Sequence, residues 1–198
     1  MIDTIIFDIG GVLCHATPIP LSDKWAERCG LNKAEFDQIV FNSPLYEAAA
    51  SGKISGDAVW VDRNKRLKLS SNELNELRTD YRVVVWDSEL LNFIETLKPD
   101  YKLGILSDAT SGAREWVSEW IDFDLFDEVL FSYEAGMVKP NPDIYRKILG
   151  MLGATAVNTL FIDDRPYNVQ AALDLGMSSF EFTTTAETIK KIQQYLQK

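Results

Sequence analysis

The sequence predicts an α/β fold in which a doubly wound parallel sheet carries helices on both faces and a helical insertion. Short apolar runs, four of them clear and the fifth weaker, are typical of buried parallel strands. They are Thr4 to Phe7, Leu103 to Leu106, Val129 to Phe131, Thr159 to Ile162 and Ser179 to Phe182. Amphipathic segments separate the later runs, and this alternation of strand and helix predicts a parallel sheet.

The helices of the second half of the chain have clear start and stop residues. Two begin at a proline, which is favoured in the first helical turn, and end near a glycine, over residues 142–150 and 166–176. The last helix is predicted to begin at a capping box formed by Thr184 and Glu187.

The connection between the first two predicted strands is too long for one helical crossover. A whole βαβ unit takes about 30 residues, and this connection is far longer. Helix start signals along it lie at Ser22, Asn32, Ser43, Ser55 and Ser70. We therefore predict a helical cap over residues 16–86, and an α/β catalytic core formed by residues 1–15 and 87–198.

Composition limits the classes of partner. The 198 residues carry a formal net charge of −10, which disfavours nucleic acid and anionic membranes as partners. No apolar run approaches the roughly 20 residues of a membrane span, and the start of the chain lacks the basic leader of a secretory signal. Two cysteines are too few for a zinc site or a disulfide framework, so we expect a cytoplasmic protein. Nothing indicates an oligomeric state.

Polar residues follow the predicted central strands. Asp8 ends the first strand, Ser107 ends the second, and Asp163 and Asp164 end the fourth, while Lys139 lies in the loop after the third. Because the carboxyl ends of parallel strands meet at one edge, where such sheets bind ligands, we expect these side chains to converge.

Three converging carboxylates repel one another unless one is protonated or a divalent cation lies among them, and a metal is the simpler answer. Oxygen ligands of this kind select a hard ion, so the sequence predicts Mg²⁺ as cofactor. With a cation and Lys139 shielding charge, Asp8 can act as a nucleophile on phosphorus. Ser107 and the backbone N–H groups after it would then hold phosphate oxygens.

These segments resemble four motifs of the haloacid dehalogenase-like hydrolases, most of which are Mg²⁺-dependent phosphatases. FDIGGVL resembles the first motif, LSDA the second, VKPNPDIY the third and FIDDRPYN the fourth, and the insertion is placed like the family's small cap. The last two motifs look most like the branch that holds sugar-1-phosphate phosphatases and the phosphatase domain of epoxide hydrolases. The expected partner is a small phosphorylated metabolite, with a sugar 1-phosphate as one candidate.

The resemblance also implies roles for individual residues. The implied catalytic residues are Asp8, Ser107 and Lys139. The implied substrate-binding residues are Ser107, Asp108 and Lys139. The implied metal ligands are Asp8, the Gly10 carbonyl and Asp164, with Asp163 nearby or acting through water and Asn168 in support.

Two residues depart from the pattern of the family. Gly10 stands where its phosphatases usually carry an aspartate that acts as general acid and base, and Asp108 stands where Asn is more common. The carbonyl of Gly10 can still bind a metal, but no proton donor is left at that position. His15 and Asp108 are the candidates for a substitute acid, and the sequence leaves the choice open.

Two other functions remain possible at this stage. A 2-haloacid dehalogenase uses the same nucleophile without a metal, and the acidic pair Asp163 and Asp164 argues against it. A catalytically silent binding protein with the same fold has only Gly10 and Asp108 in its favour.

Two further patterns concern helix faces. Trp116 and Trp120 are four residues apart and are predicted to pack on one face of a helix. A basic stretch in the insertion is predicted to be a solvated helix face, with steering of an anionic substrate as the alternative. It comprises Arg63, Lys65, Arg66 and Lys68.

Overall fold

A computed structural model describes residues 1–16 and 21–197. Its strands are β1 Thr4–Phe7, β2 Cys14–Ala16, β3 Val84–Trp86, β4 Lys102–Ser107, β5 Glu128–Phe131, β6 Thr159–Asp163 and β7 Ser178–Glu181. Five of them form a parallel sheet in the order β5–β4–β1–β6–β7. This arrangement confirms the predicted doubly wound sheet, and β1 lies at its centre.

Helices cover both faces of the sheet and fill the insertion. In the insertion they are α1 Leu21–Arg28, α2 Lys33–Phe41, α3 Tyr46–Ala50, α4 Gly56–Leu67 and α5 Ser71–Asp80. In the core they are α6 Ser88–Leu97, α7 Ala113–Ser118, α8 Ser132–Ala135, α9 Pro142–Leu152, α10 Pro166–Asp174 and α11 Thr185–Leu196. Capping boxes at Asn32 and Ser70 begin α2 and α5 as predicted.

Alternate residues of β1 supply the two faces of the core. Ile5 and Phe7 belong to one fully buried cluster, together with Leu90 and Ile94 of α6. Ile6 belongs to the other cluster, which α9 and α10 complete on the opposite face. Apolar burial on both faces holds β1 in place and fixes the position of the residue that follows it, Asp8.

The helices α1, α2, α4 and α5 share a separate apolar core. Trp25, Phe36 and Leu77 are fully buried in it. The unit contacts the sheet edge through glycines: the Gly56 N–H donates to the Ser111 hydroxyl at 2.9 Å, and a Cβ on Gly52 would lie 2.4 Å from the Tyr133 carbonyl oxygen. The division at residues 16 and 86 stays a prediction, since 17–20 and Lys198 lie outside the described residues.

Three features differ from expectation. The strands β2 and β3 form an antiparallel ribbon between cap and core that the sequence analysis did not predict. Trp120 does not share a helix face with Trp116, because α7 ends at Ser118 and Trp120 is 59% exposed. Arg63 is buried rather than solvated, with its guanidinium 4.6 Å from the centre of the Trp60 ring.

Within the described ranges, no helix is long and apolar enough to cross a membrane.

Candidate active site

The predicted site residues converge at the carboxyl edge of the sheet. A cavity of about 250 Å³ lies there, beyond the ends of β1, β4 and β6. Its lining comprises Asp8, Gly10, Gly11, Ser107, Asp108, Lys139, Asp164, Arg165 and Asn168. Asp163 lies directly behind this lining and is fully buried.

Asp8 is a buried carboxyl group that faces a cation. Its Oδ1 accepts a hydrogen bond from the Ile9 N–H at 2.7 Å and lies 3.1 Å from Lys139 Nζ. Burial raises the pKa of Asp8 from 3.8 to about 6, Lys139 opposes that rise, and Asp163 adds to it. The carboxyl group is therefore poorly solvated, which favours its use as a nucleophile once positive charge surrounds it.

Lys139 connects Asp8 to the acidic pair. Its Nζ is 2.6 Å from Asp163 Oδ2 and donates to the Leu106 carbonyl at 3.1 Å. Burial alone would lower the pKa of Lys139, but Asp8 and Asp163 hold it above its ordinary value. The lysine is thus a fixed positive charge between two carboxylates.

Asp163 and Asp164 have different surroundings. The Asp163 oxygens accept from Lys139 Nζ, from Asn168 Nδ2 at 2.9 Å and from the Arg165 N–H at 2.9 Å. Asp164 Oδ1 is buried and has no hydrogen-bond partner. A buried carboxylate oxygen without a partner is costly, and a bound cation would satisfy it.

Gly11 lets Asp164 approach the first strand. Its φ is +78°, and a Cβ at this position would lie 2.4 Å from Asp164 Oδ2. Oxygen atoms of Asp8, Asp163 and Asp164 all lie within 4.8 Å of one another. This set of hard oxygen donors fits Mg²⁺, with Asp8 and Asp164 better placed as direct ligands because the Asp163 oxygens already accept hydrogen bonds.

Ser107 and Asp108 follow β4 on the other side of Asp8. Ser107 lines the cavity with Asp8, and its side chain lowers the pKa of that carboxyl group. Asp108 Oδ1 accepts from the Lys139 N–H at 3.0 Å, so part of its charge is directed toward the backbone. The Ala109 N–H donates to the Ser132 hydroxyl at 3.0 Å. The Ala109 N–H is therefore engaged within the protein, while the predicted phosphate-binding role of the N–H groups after Ser107 stays a prediction.

Comparison with known proteins agrees with this geometry. The model of the haloacid dehalogenase-like hydrolase family matches residues 2–176. The chain belongs to the haloacid dehalogenase-like hydrolases. The hydrolase is 28% identical to a sesquiterpene phosphatase of Aspergillus oryzae, over 96% of this chain and 94% of that protein. It is 26% identical to a D-ribitol-5-phosphate phosphatase of Bacteroides thetaiotaomicron, over 91% and 92% of the two chains.

A solved structure shows the same fold. It is an enzyme of this family from Bacteroides thetaiotaomicron in complex with magnesium and inorganic phosphate. The TM-score is 0.78 at 20% identity, and the alignment covers 92% of this chain and 95% of that one. Membership of the family makes the chain a hydrolase, and the predicted enzyme class is confirmed.

His15 lies away from the cavity. It is on β2, with Nε2 3.6 Å from Asp87 Oδ2 and its ring centre 5.3 Å from that of Phe182. It is not part of the described lining of the 250 Å³ cavity. Of the two candidates for a substitute acid, Asp108 lies at the cavity and His15 does not.

Sequence reasoning missed two residues near the nucleophile. Arg165 lines the cavity and donates to the Tyr167 hydroxyl at 3.0 Å. Tyr46 comes from cap helix α3; burial raises its pKa, Asp108 and Asp8 raise it further, and Arg165 opposes them. Tyr46 and Asp108 line the same cleft between cap and core. Arg165 was identifiable as the basic residue after the acidic pair, whereas nothing in the local sequence marks Tyr46.

Proposed function

We propose that the hydrolase is a Mg²⁺-dependent phosphatase that hydrolyses a small phosphorylated metabolite through an aspartyl-phosphate on Asp8. The observation that carries this proposal is the buried Asp8 carboxyl group, held by Lys139 beside an Asp164 oxygen without a partner. Asp8, the Gly10 carbonyl and Asp164 would hold the metal, with Asp163 in support. When bound, Mg²⁺ supplies positive charge that shields the phosphate from these carboxylates.

The residues of the chain divide the reaction into two displacements. An Asp8 oxygen forms a bond to phosphorus while the bond from phosphorus to the leaving oxygen breaks, and the leaving oxygen keeps that electron pair. Lys139 stabilises negative charge on the transferring group, and the Ser107 hydroxyl donates to a phosphate oxygen. Water then attacks phosphorus, releases inorganic phosphate and restores the Asp8 carboxylate.

Two relatives named as phosphatases, each matched over nine-tenths of its length, support this reaction. The alternative, a 2-haloacid dehalogenase, requires no cation. It therefore does not explain the buried Asp164 oxygen that has no hydrogen-bond partner. The alternative of a silent binding protein leaves unexplained the buried lysine held between two carboxylates.

Phosphate release from 4-nitrophenyl phosphate, with and without Mg²⁺, tests the proposal. We expect turnover to require Mg²⁺, to stop in EDTA and to be lost in Asp8→Asn, which keeps the shape but removes the nucleophilic charge. Asp100→Asn, which changes an exposed carboxylate of the core, is the control. Full activity in EDTA or in Asp8→Asn would contradict the mechanism.

We further propose that the quality of the leaving group governs turnover. General acid catalysis is worth about 10²–10⁴ in rate, and Gly10 offers no acid. Aryl phosphates, acyl phosphates and anomeric sugar 1-phosphates should therefore react much faster than sugar 6-phosphates. A Cβ at Gly10 meets no atom within 4 Å, so the fold has space for the side chain of Gly10→Asp. Because this variant supplies an acid, it should selectively raise the rates of hydrolysis of sugar 6-phosphates.

Asp108 provides the competing explanation for proton transfer. It lines the cavity, and burial raises its pKa. If Asp108 is the acid, wild-type rates will vary little with leaving-group pKa and will become steeply dependent on it in Asp108→Asn. Equal slopes in the two proteins would instead support the absence of an acid. Asn at this position retains an oxygen that can accept from the Lys139 N–H.

We also infer a cytoplasmic location and a small-molecule partner. Cys14 and Cys29 are both free thiols, and burial raises the pKa of Cys14 to about 12, which keeps it unreactive. A reducing compartment suits such a protein.

A further inference from the structure

A cleft adjoins the catalytic cavity and can receive the leaving group of a phosphate ester bound at Asp8. This cleft, of about 340 Å³, lies between the cap and the loop after β4. Tyr46 and Trp60 line it from the cap, and Asp108 and Trp116 line it from the core. Asp108 also lines the catalytic cavity, so the two spaces meet there.

An apolar groove continues from the far end of this cleft. It has a volume of about 300 Å³ and shares Arg82 and Trp116 with the cleft. Val83, Val84 and Trp120 supply most of its remaining apolar surface. Catalytic cavity, cleft and groove are thus neighbours that share lining residues, and each has a size that suits part of a small-molecule ligand.

The groove exposes apolar surface that the fold itself does not use. Trp120 is 59% exposed and Val83 is 50% exposed. A ligand that covers these side chains removes their apolar surface from water, which is favourable. Two such side chains beside one groove, at the end of a path from the nucleophile, indicate a binding surface rather than scattered exposure.

Arg82 lines both the cleft and the groove. Among the described residues it forms no ion pair, in contrast to Arg78, whose Nη2 lies 2.5 Å from Asp57 Oδ1. An arginine without a fixed partner can lay its aliphatic stem along an apolar ligand and keep its charge in water. The junction is therefore compatible with an apolar chain that passes beside it.

We propose that the groove binds an apolar tail on the leaving group of the substrate. The inference rests on the phosphatase function proposed above. The phosphate lies at Asp8, the first part of the leaving group lies in the cleft beside Trp60, and the tail lies against Trp116, Trp120 and Val83. The substrate is accordingly a phosphate ester whose leaving group carries an apolar tail.

A series of 4-alkylphenyl phosphates tests the proposal. Phenyl, 4-ethyl, 4-butyl and 4-hexyl esters have nearly the same leaving-group chemistry, so differences in kcat/KM report binding of the tail. Burial of one CH₂ is worth about 0.8 kcal/mol. We expect kcat/KM to rise by roughly two- to fourfold for each CH₂ that reaches the groove, measured below the micellar concentration of each ester.

Two variants locate the tail. Trp120→Ala and Val83→Ser should flatten the dependence of kcat/KM on chain length. Both residues are exposed, so neither change threatens the core. Val157→Ser is the matched control, because Val157 is 71% exposed and precedes β6, at the opposite end of that strand from Asp163.

The outcomes separate this inference from the proposed function. If phenyl phosphate is hydrolysed with Mg²⁺ but kcat/KM does not depend on the length of the alkyl chain, the tail site is refuted and the proposed phosphatase function is supported. A steep dependence that survives in both variants would also overturn the tail site. If no aryl phosphate is hydrolysed, calorimetry still tests the groove: 4-hexylphenylphosphonate should bind at least tenfold more tightly than phenylphosphonate, and equal affinities would refute the tail site.

One other occupant of the groove is testable. If sedimentation shows a wild-type dimer that Trp120→Ala and Val83→Ser dissociate, and Val157→Ser does not, the groove is an interface between copies of this chain. That result would also overturn the tail site.

Discussion

Replacing the nucleophile should stabilise the metal-free protein while removing its activity. Asp8 is only 6% exposed, and burial raises its pKa from 3.8 to about 6, even though Lys139 and Ser107 oppose the rise. Asn has nearly the same shape as Asp, and its side-chain oxygen can still accept a hydrogen bond from the Ile9 N–H. Asp8→Asn therefore removes the cost of burying a charge and keeps the local hydrogen bond.

The size and sign of the effect follow from this pKa. The folded value lies above the unfolded one, so the contribution of Asp8 to stability is fully present below pH 3.8 and is lost as the pH rises through about 6. A rise of about two pKa units corresponds to about 3 kcal/mol. At pH 7 in EDTA, Asp8→Asn should raise the free energy of unfolding by about 3 kcal/mol, and near pH 4 the gain should almost vanish.

Urea unfolding at both pH values measures the difference. At pH 7 the gain corresponds to a rise of roughly 6–12 °C in Tm for a chain of this size. Asp100→Asn, at an exposed carboxylate, should change the free energy of unfolding by less than about 0.5 kcal/mol. A variant no more stable than wild type at pH 7, or one stabilised equally at both pH values, would refute the reasoning.

Other changes test the remaining parts of the site. Lys139→Met leaves two buried carboxylates without their cation. We therefore expect kcat to fall by about 10²–10³ and the free energy of unfolding to fall by about 3–5 kcal/mol. In the same kinetic and urea assays, the exposed Lys190→Met should alter neither quantity. Gly11→Ala would bring a Cβ within 2.4 Å of Asp164 Oδ2, at a φ of +78°, and so displace this carboxylate. The Mg²⁺ dissociation constant measured by calorimetry should therefore rise at least about tenfold, which is about 1.4 kcal/mol. Gly10→Ala has open space around its Cβ and should bind Mg²⁺ like wild type; equal affinities for all three proteins would show that Asp164 is not a ligand.

The sheet and the catalytic edge were predictable because their signals are local. A buried parallel strand is an uninterrupted apolar run, and the polar residue that ends it must lie at the edge where its neighbours also end. Asp8, Ser107 and Asp163 are placed by this rule alone. The helix starts of the insertion were predictable for a similar reason, since a capping box involves residues only three apart.

The contacts of the cap with the core were not predictable, because they depend on long-range packing. Tyr46 of the cap and Asp108 of the core line one cleft only because separate segments pack together. Arg63 contacts Trp60 within α4, but its burial depends on the neighbouring cap helices. A spacing of four residues also failed for Trp120, since it tests helical periodicity but not where the helix ends. The strands of the β2–β3 ribbon have three residues each, too few to show alternation.

Gly10 links the chemistry of the site to its choice of substrate. Without an acid at that position, the rate must come from charge around the phosphate and from binding of the leaving group. Lys139 and a metal act on the phosphate, which is common to every ester, so they accelerate all substrates without selecting among them. Binding energy from remote parts of a substrate can instead be used to position the reacting atoms and so raise kcat. Selection then depends on the cleft and on the groove beside Trp120, where substrates differ.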